Sequence, residues 1–238
     1  MTHFPLADSL DARMVPVGTA GEHVMVVDGV MRDWRALRDT AAGMEYRDVG
    51  TKGGFPGLRA PLPGSYARAL LRRLDPHIHE HFFAGRAVKL TRFVCNFSLV
   101  TYPPDRLRTA QKLPHVDVAD GNRIALLHYL CPNHFGGTAF YRQNATGLEK
   151  VDPEDKLRWG DASQAEQKRL DPARGYADAS LPGYTQLANV AAKPDRLVAY
   201  RSNLLHSGVI DAPELLSPDP LRGRLTANFF LDYAPKPH

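Results

Sequence analysis

The spacing of apolar and polar positions divides the chain near residue 87. Before that point helical and strand patterns alternate. Residues 23–28 (HVMVVD) form an apolar run closed by Gly29 and read as a strand. Residues 31–42 carry apolar positions at helical spacing, with Asp33 near the start and Gly43 just past the end, the usual stop and start residues of a helix. Residues 51–64 are rich in glycine and proline and read as a loop. Residues 65–74 set Leu70, Leu71 and Leu74 beside Arg68, Arg72 and Arg73, which predicts an amphipathic helix with a solvated basic face. Pro76 is expected to end it and to open a short continuation through Phe83.

From residue 87 onward the texture is that of a β protein. Residues 87–102 are dense in β-branched and aromatic side chains and predict one long strand or two, ended by Pro103-Pro104. Shorter strands are expected at 112–118, 124–130, 138–142, 185–190, 196–200, 206–210 and 224–233, split by Asp120-Gly121-Asn122 and Gly136-Gly137. Residues 148–175 are polar and helical in composition, an insertion between strands that is either a lid or a solvated excursion. Helices first and then about eight strands imply an α+β chain with a jelly-roll or β-barrel core. No linker divides it, so residues 1–238 are expected to form a single domain: a strand and helices over 1–86 and the core over 87–233.

Composition narrows the class. The chain has 238 residues, 43% hydrophobic and 24% charged, which excludes disordered, collagenous and coiled-coil readings. No apolar run approaches the ~18 residues that cross a bilayer, and the first eight residues have neither a basic start nor an apolar core, so no signal peptide is read. Cys95 and Cys131, each in an apolar stretch, are expected to be reduced core thiols of a cytoplasmic protein. The net charge of +4 comes from scattered basic residues, so it does not point to a nucleic acid, and no membrane partner is expected. Oligomeric state leaves no trace in the sequence.

The chemistry begins at His115-Val116-Asp117. On a strand, residues i and i+2 face the same way, so imidazole and carboxylate project together. Alone, this triplet equally describes a surface strand end with an ion pair. His206 lies in an apolar stretch near Gly208 and reads alone as a core histidine. Two histidines and one carboxylate, with positions left open, are what a non-haem Fe(II) oxygenase uses. Arg224 and Thr226 share a face at the head of the last strand. A guanidinium fork and a hydroxyl suit a carboxylate, and Arg224 is equally a solvent-facing strand end on its own.

Taken in order, His115-x-Asp117, His206 and Arg224-x-Thr226 resemble the Fe(II)/2-oxoglutarate-dependent dioxygenase superfamily, with its prolyl-hydroxylase-like branch the nearest match. The resemblance spans residues 88–233 and extends to Tyr129 on the strand after the H-x-D motif, to the Gly136-Gly137 turn, and to the N-terminal strand–helix entry. It implies a double-stranded β-helix (jelly-roll, cupin-like) core with N-terminal helices packed on one sheet. It further implies Fe(II) held by His115, Asp117 and His206, and 2-oxoglutarate held by Arg224, Thr226 and Tyr129. Dioxygen would take the remaining position, and the products would be succinate, CO2 and a hydroxylated substrate. The implied substrate is an amino acid, a peptidyl residue or another small molecule. Desaturation, epimerisation and demethylation remain open on the same fold. Asp117 argues against halogenation, where a small residue usually stands. The spacing from His206 to Arg224 is longer than usual and leaves Arg222 as a substitute for Arg224. Neither arginine is followed six positions on by a second one, which argues against nucleic-acid demethylation.

Other polar residues weigh less. His77, His79 and His81 would share a face only on a strand, and their context is helical, so no metal site is read there. His128 is expected to face out of the barrel, and His134 lies in a turn from which it could reach substrate but is set aside. Asn96, Ser98 and Asn228 are expected to line the pocket, because polar groups inside a barrel are costly unless used. Two rival readings are a catalytically silent barrel that binds a ligand or partner, and a zinc-binding barrel without redox chemistry. The intact His115, Asp117 and His206 set argues against the first, and an Arg224 clamp for a dicarboxylate against the second.

Overall fold

The computed structural model describes residues 4–51 and 54–236. The first three residues, where the reading of the N-terminus begins, and Lys52 and Gly53 of the expected loop lie outside them. In chain order the elements are β1 (Ala12–Val17), β2 (Glu22–Asp28), α1 (Trp34–Ala42), β3 (Arg47–Asp48), β4 (Gly57–Pro61), α2 (Gly64–Phe82), β5 (Val88–Val100), β6 (Arg123–Tyr129), β7 (Gly137–Gln143), α3 (Lys156–Arg169), β8 (Tyr184–Ala191), β9 (Arg196–Arg201), β10 (His206–Val209) and β11 (Arg224–Pro235). Every strand pairing among the described residues is antiparallel. Eight strands form one sheet in the order β1-β2-β9-β6-β11-β5-β4-β3, and three form a second in the order β10-β7-β8.

Alternation in β11 shows how the layers are built. Leu225, Ala227, Phe229 and Leu231 turn to one face and join a core with Leu37 and Ala41 of α1 and Leu70, Leu74, Ile78 and Phe82 of α2. Arg224, Thr226 and Asn228 turn to the other face, towards the small sheet. A second apolar cluster joins the two sheets, with Tyr129, Val198 and Tyr200 from the large sheet and Phe140 and Val190 from the small one. The site therefore lies between sheets, on a face that the helices leave free.

Four expectations need correction. The helix does not end at Pro76: α2 runs unbroken through it. Pro76 is exposed, so the carbonyl it deprives of a partner is on the solvated side, while Leu74, Ile78 and Phe82 hold both flanks to the core. The glycine- and proline-rich stretch 51–64 contains β4, paired with β5, and this strand was read as loop. Residues 112–118 form no strand: a short turn at Thr109–Lys112 leads into an extended segment that touches β10 at one bridge, His115 opposite His206. β1, which pairs with β2, was not foreseen.

The other expected strands are present within a residue or two, and α1 starts at Trp34 because the Asp33 side chain accepts the Arg35 N–H at 3.0 Å. In the 148–175 insertion, α3 packs on the outer face of the small sheet. Its Ser163 hydroxyl accepts from Gln143 Nε2 at 3.2 Å, and Trp159 packs with Val116 and Leu205. It packs through Trp159 into the cluster that holds Val116, behind the segment carrying His115. Cys95 and Cys131 are both free thiols. No helix among the described residues is long and apolar enough to cross a membrane.

Candidate metal and anion site

The single bridge between His115 and His206 creates the cluster. Each backbone N–H donates to the other's carbonyl at 2.9 Å, and Asp117 N–H donates to Ser202 O at 2.9 Å. These bonds lay an irregular segment against β10 and set three side chains towards one point. His206 Nε2 is 3.8 Å from Asp117 Oδ2, and His115 Nε2 is 4.0 Å from Asp117 Oδ1. The three ligand atoms all lie within 4.8 Å of one another. Val116 turns the other way, into the cluster with Trp159.

Three features suit this triplet to a cation. His206 is buried and its Nδ1–H donates to Leu204 O at 2.8 Å, which fixes the tautomer and leaves the Nε2 lone pair free. Asp117 Oδ2 is buried and has no hydrogen-bond partner, a costly state for a carboxylate unless an ion supplies the missing contact. His115 presents one side of its ring to solvent. Its pKa is pushed down to about 4, by desolvation first and by neighbouring His206 second, against the opposing pull of Asp117. It is thus held neutral, the form that ligates a metal.

Arg224 lies beside this triplet and is 3% exposed. Its Nε donates to Phe135 O at 3.1 Å and its Nη2 to Gly137 O at 2.7 Å. It stands 5.7 Å over the Tyr129 ring, and among the described residues no carboxylate pairs with it. A Cβ on Gly208, two positions beyond His206 on β10, would lie 3.8 Å from Arg224 Nη2, so the guanidinium reaches β10 next to the strand position two residues from His206. Gly136 and Gly137 make this possible. Gly136 has φ +72°, and a Cβ there or on Gly137 would stand 2.2 Å from the carbonyl oxygen of Val209 or Val190. Arg222, the alternative, is 83% exposed and pairs with Asp219, so burial separates the two arginines.

The remaining expected residues fall in three groups. Thr226 and Tyr129 flank Arg224, but both hydroxyls are engaged: Thr226 Oγ1 donates to Ser98 O at 3.3 Å, and Tyr129 Oη shares a 2.6 Å bond with Thr138 Oγ1. Asn96, Ser98 and Asn228 face the same side, with Ser98 Oγ and Asn228 Oδ1 buried and unpartnered. His128 faces out of the barrel, as expected, into the helix-side core. There it bridges Tyr66 Oη at 2.6 Å and Asp195 Oδ1 at 2.9 Å. His134 is exposed beside Phe135 and is not part of the cluster.

Two residues escaped the sequence reading. Tyr200 packs edge-on to His206 with ring centroids 4.8 Å apart, and burial, then Asp117, raises its pKa well above that of a free phenol. Its alternation within β9 was a usable signal. Arg59 was hidden in the stretch read as loop. The histidine run on α2 also behaves differently from expectation. His77, Glu80 and His81 meet at i, i+3, i+4 spacing, with His77 and His81 rings nearly parallel at 6.4 Å, so a helix brings together a subset that the i+2 argument dismissed.

Comparison with known proteins adds a family. Residues 8–231 match the model described as "Family of unknown function (DUF6445)", and the chain belongs to that family. No curated protein matches. Among solved structures, the chain is similar to HygX from Streptomyces hygroscopicus with nickel and 2-oxoglutarate bound, at 14% identity and TM-score 0.49, covering 90% of this chain and 83% of that one. It is also similar to the non-heme alpha-ketoglutarate-dependent epimerase SnoN from nogalamycin biosynthesis, at 15% identity and TM-score 0.46, over 90% of this chain and 80% of that one. A third is the carbocyclase SnoK of the same biosynthesis, at 14% identity and TM-score 0.43, over 90% and 82%.

Proposed function

We propose that the protein is an Fe(II)- and 2-oxoglutarate-dependent oxygenase that hydroxylates a C–H bond of a small-molecule, amino-acid or peptidyl substrate. The observation that carries this reading is a buried guanidinium without an acidic partner, Arg224, reaching β10 at Gly208, two residues from His206 of a His/Asp/His triplet that has its own unsatisfied carboxylate oxygen. A buried cation without a counter-ion is unstable on its own. It fits a dicarboxylate whose other end reaches a metal.

In this reading His115, Asp117 and His206 hold iron, and Arg224 holds the distal carboxylate of 2-oxoglutarate. When bound, iron and 2-oxoglutarate supply dioxygen activation coupled to decarboxylation, with succinate and CO2 as products. The chain's own parts are positional. Leu204 O keeps His206 in one tautomer, the Phe135 and Gly137 carbonyls aim the Arg224 fork, and Tyr129 and Thr226 flank that fork. The open side of His115 leaves room for substrate. The two facing sheets are read as one double-stranded β-helix domain with α1 and α2 on the large sheet. The H-x-D, histidine and arginine order keeps the prolyl-hydroxylase-like branch the nearest within the superfamily, and the cytoplasm remains the proposed compartment. A purely zinc-binding or silent barrel leaves the Arg224 charge without a use.

The test is anaerobic titration of metal-free protein with Fe(II), then 2-oxoglutarate, following the visible charge-transfer band. A saturable band that Asp117→Ala abolishes is expected. Iron binding with no band overturns the reading. Because His77, Glu80 and His81 could also take up metal, the band and not iron stoichiometry is the readout, and His81→Ala should leave it unchanged.

A further inference from the structure

We propose that Arg59 is a recognition residue for an oxyanion, a carboxylate or phosphate group, on the substrate itself. The inference rests on the oxygenase reading and names the substrate class for it.

Arg59 lies on β4, opposite Ser98 of β5, which lies opposite Thr226 of β11, which lies opposite Tyr129 of β6. Residues directly opposite across antiparallel strands share a face. Arg59 is therefore on the same inner row as Thr226 and Tyr129, two strands of ~4.8 Å spacing away from β11. One position further along each strand on that face stand Asn96 and Asn228, also opposite each other.

The side chain has nothing to neutralise it. Its guanidinium carbon stands 4.9 Å over the Phe55 ring, a contact that fixes its direction and leaves its charge intact. Its Nε is buried without a hydrogen-bond partner, and no carboxylate pairs with it among the described residues. Burial lowers the Arg59 pKa, and the charge of Asp117 opposes that shift. Directly opposite it, Ser98 Oγ is also buried and unpartnered, and Asn228 Oδ1, on the next row of the same face, is too. An unpaired guanidinium on an inner face that also carries unsatisfied polar atoms has the form of a binding surface for a polar, negatively charged molecule.

Charge balance points the same way. In the loaded site the charges of iron(II) and Arg224 balance those of Asp117 and doubly negative 2-oxoglutarate. The Arg59 charge is left over. One further oxyanion neutralises it, whereas an apolar or cationic substrate leaves it half-buried and unpaired.

The test uses the anaerobic Fe(II)·2-oxoglutarate complex, in which Arg224 is already occupied. Acetate, acetamide and inorganic phosphate, at tens of millimolar and constant ionic strength, are titrated against the charge-transfer band and the melting temperature. Acetate or phosphate is expected to perturb both, acetamide neither. Which of the two anions acts more strongly assigns the group as carboxylate or phosphate. In Arg59→Gln the band should form, while the anion effect weakens about ten-fold or more, and Arg59→Lys should restore part of it. The proposal is overturned if neither anion acts on wild type, if acetamide acts as strongly, or if Arg59→Gln responds as wild type does. Loss of the band in Arg59→Gln also overturns it, by assigning Arg59 to the cosubstrate. Absence of the band in wild type instead sinks the oxygenase reading.

Discussion

Replacing Arg224 by methionine separates the anion site from the fold. In the free protein the change removes two charge-assisted hydrogen bonds, to Phe135 O at 3.1 Å and Gly137 O at 2.7 Å, each worth ~1.5–3 kcal/mol. It also removes a nearly fully buried cation with no acidic partner, whose desolvation costs several kcal/mol. The two terms are of similar size and opposite sign, so the melting temperature of the free protein should move by only a few degrees. The ligand-dependent part differs sharply. At ~100 times its dissociation constant, 2-oxoglutarate stabilises wild type by ~2.7 kcal/mol. For a chain of this length that is roughly 5–11 °C. Losing one partner of a buried charge pair weakens binding by ~2–5 kcal/mol, so at the same concentration the shift in Arg224→Met should fall to at most about 3 °C. Thermal melts with Mn(II) in place of iron, with and without 2-oxoglutarate, read both terms in air. An undiminished shift in Arg224→Met, or its loss in Arg222→Met instead, refutes the reasoning.

Three other outcomes follow from the same contacts. Asp195→Ala strips a partner from His128 and from the Met31 N–H and should cost ~3–5 kcal/mol in urea unfolding. Asp195→Asn should cost less, because asparagine tolerates the φ of +61° at this position, and equal losses in the two variants would contradict this account. Gly136→Ala should be destabilised by at least ~2 kcal/mol and bind 2-oxoglutarate more weakly, since its Cβ would collide with Val209 O next to the carbonyls that aim Arg224. Isothermal titration beside chemical denaturation checks both. Burial pushes the Cys131 thiol up to about 11, so it should resist alkylation near pH 8 in the native protein and react only on unfolding. Mass spectrometry showing fast native labelling at Cys131 would contradict its placement.

The site was more legible than the strands around it. His115, Asp117 and His206 were readable because metal ligation needs particular side chains in a particular order, and the structure brings those three together. Their local setting was misjudged. The H-x-D segment was expected on a strand, yet one bridge to β10 is enough to hold it. β4 went unseen because glycine and proline signal a turn unless a long neighbour such as β5 supplies the hydrogen bonds. Pro76 misled for a related reason, since core contacts on both sides of it outweigh one lost helical bond.

What the sequence determined alone was the inventory: which strands alternate, which residues can ligate a metal, and which arginines can take a carboxylate. It could not decide between Arg222 and Arg224, since only burial makes one an anion site and leaves the other a surface ion pair. It could not tell which polar faces look inward. Arg224, Thr226 and Asn228 alternate with Leu225, Ala227 and Phe229, a pattern that usually marks a sheet with its polar side in water. Here α1 and α2 cover the apolar side and a second sheet faces the polar one. Alternation along a strand is a local property, but which side meets solvent depends on what packs there, and only the tertiary structure supplies that.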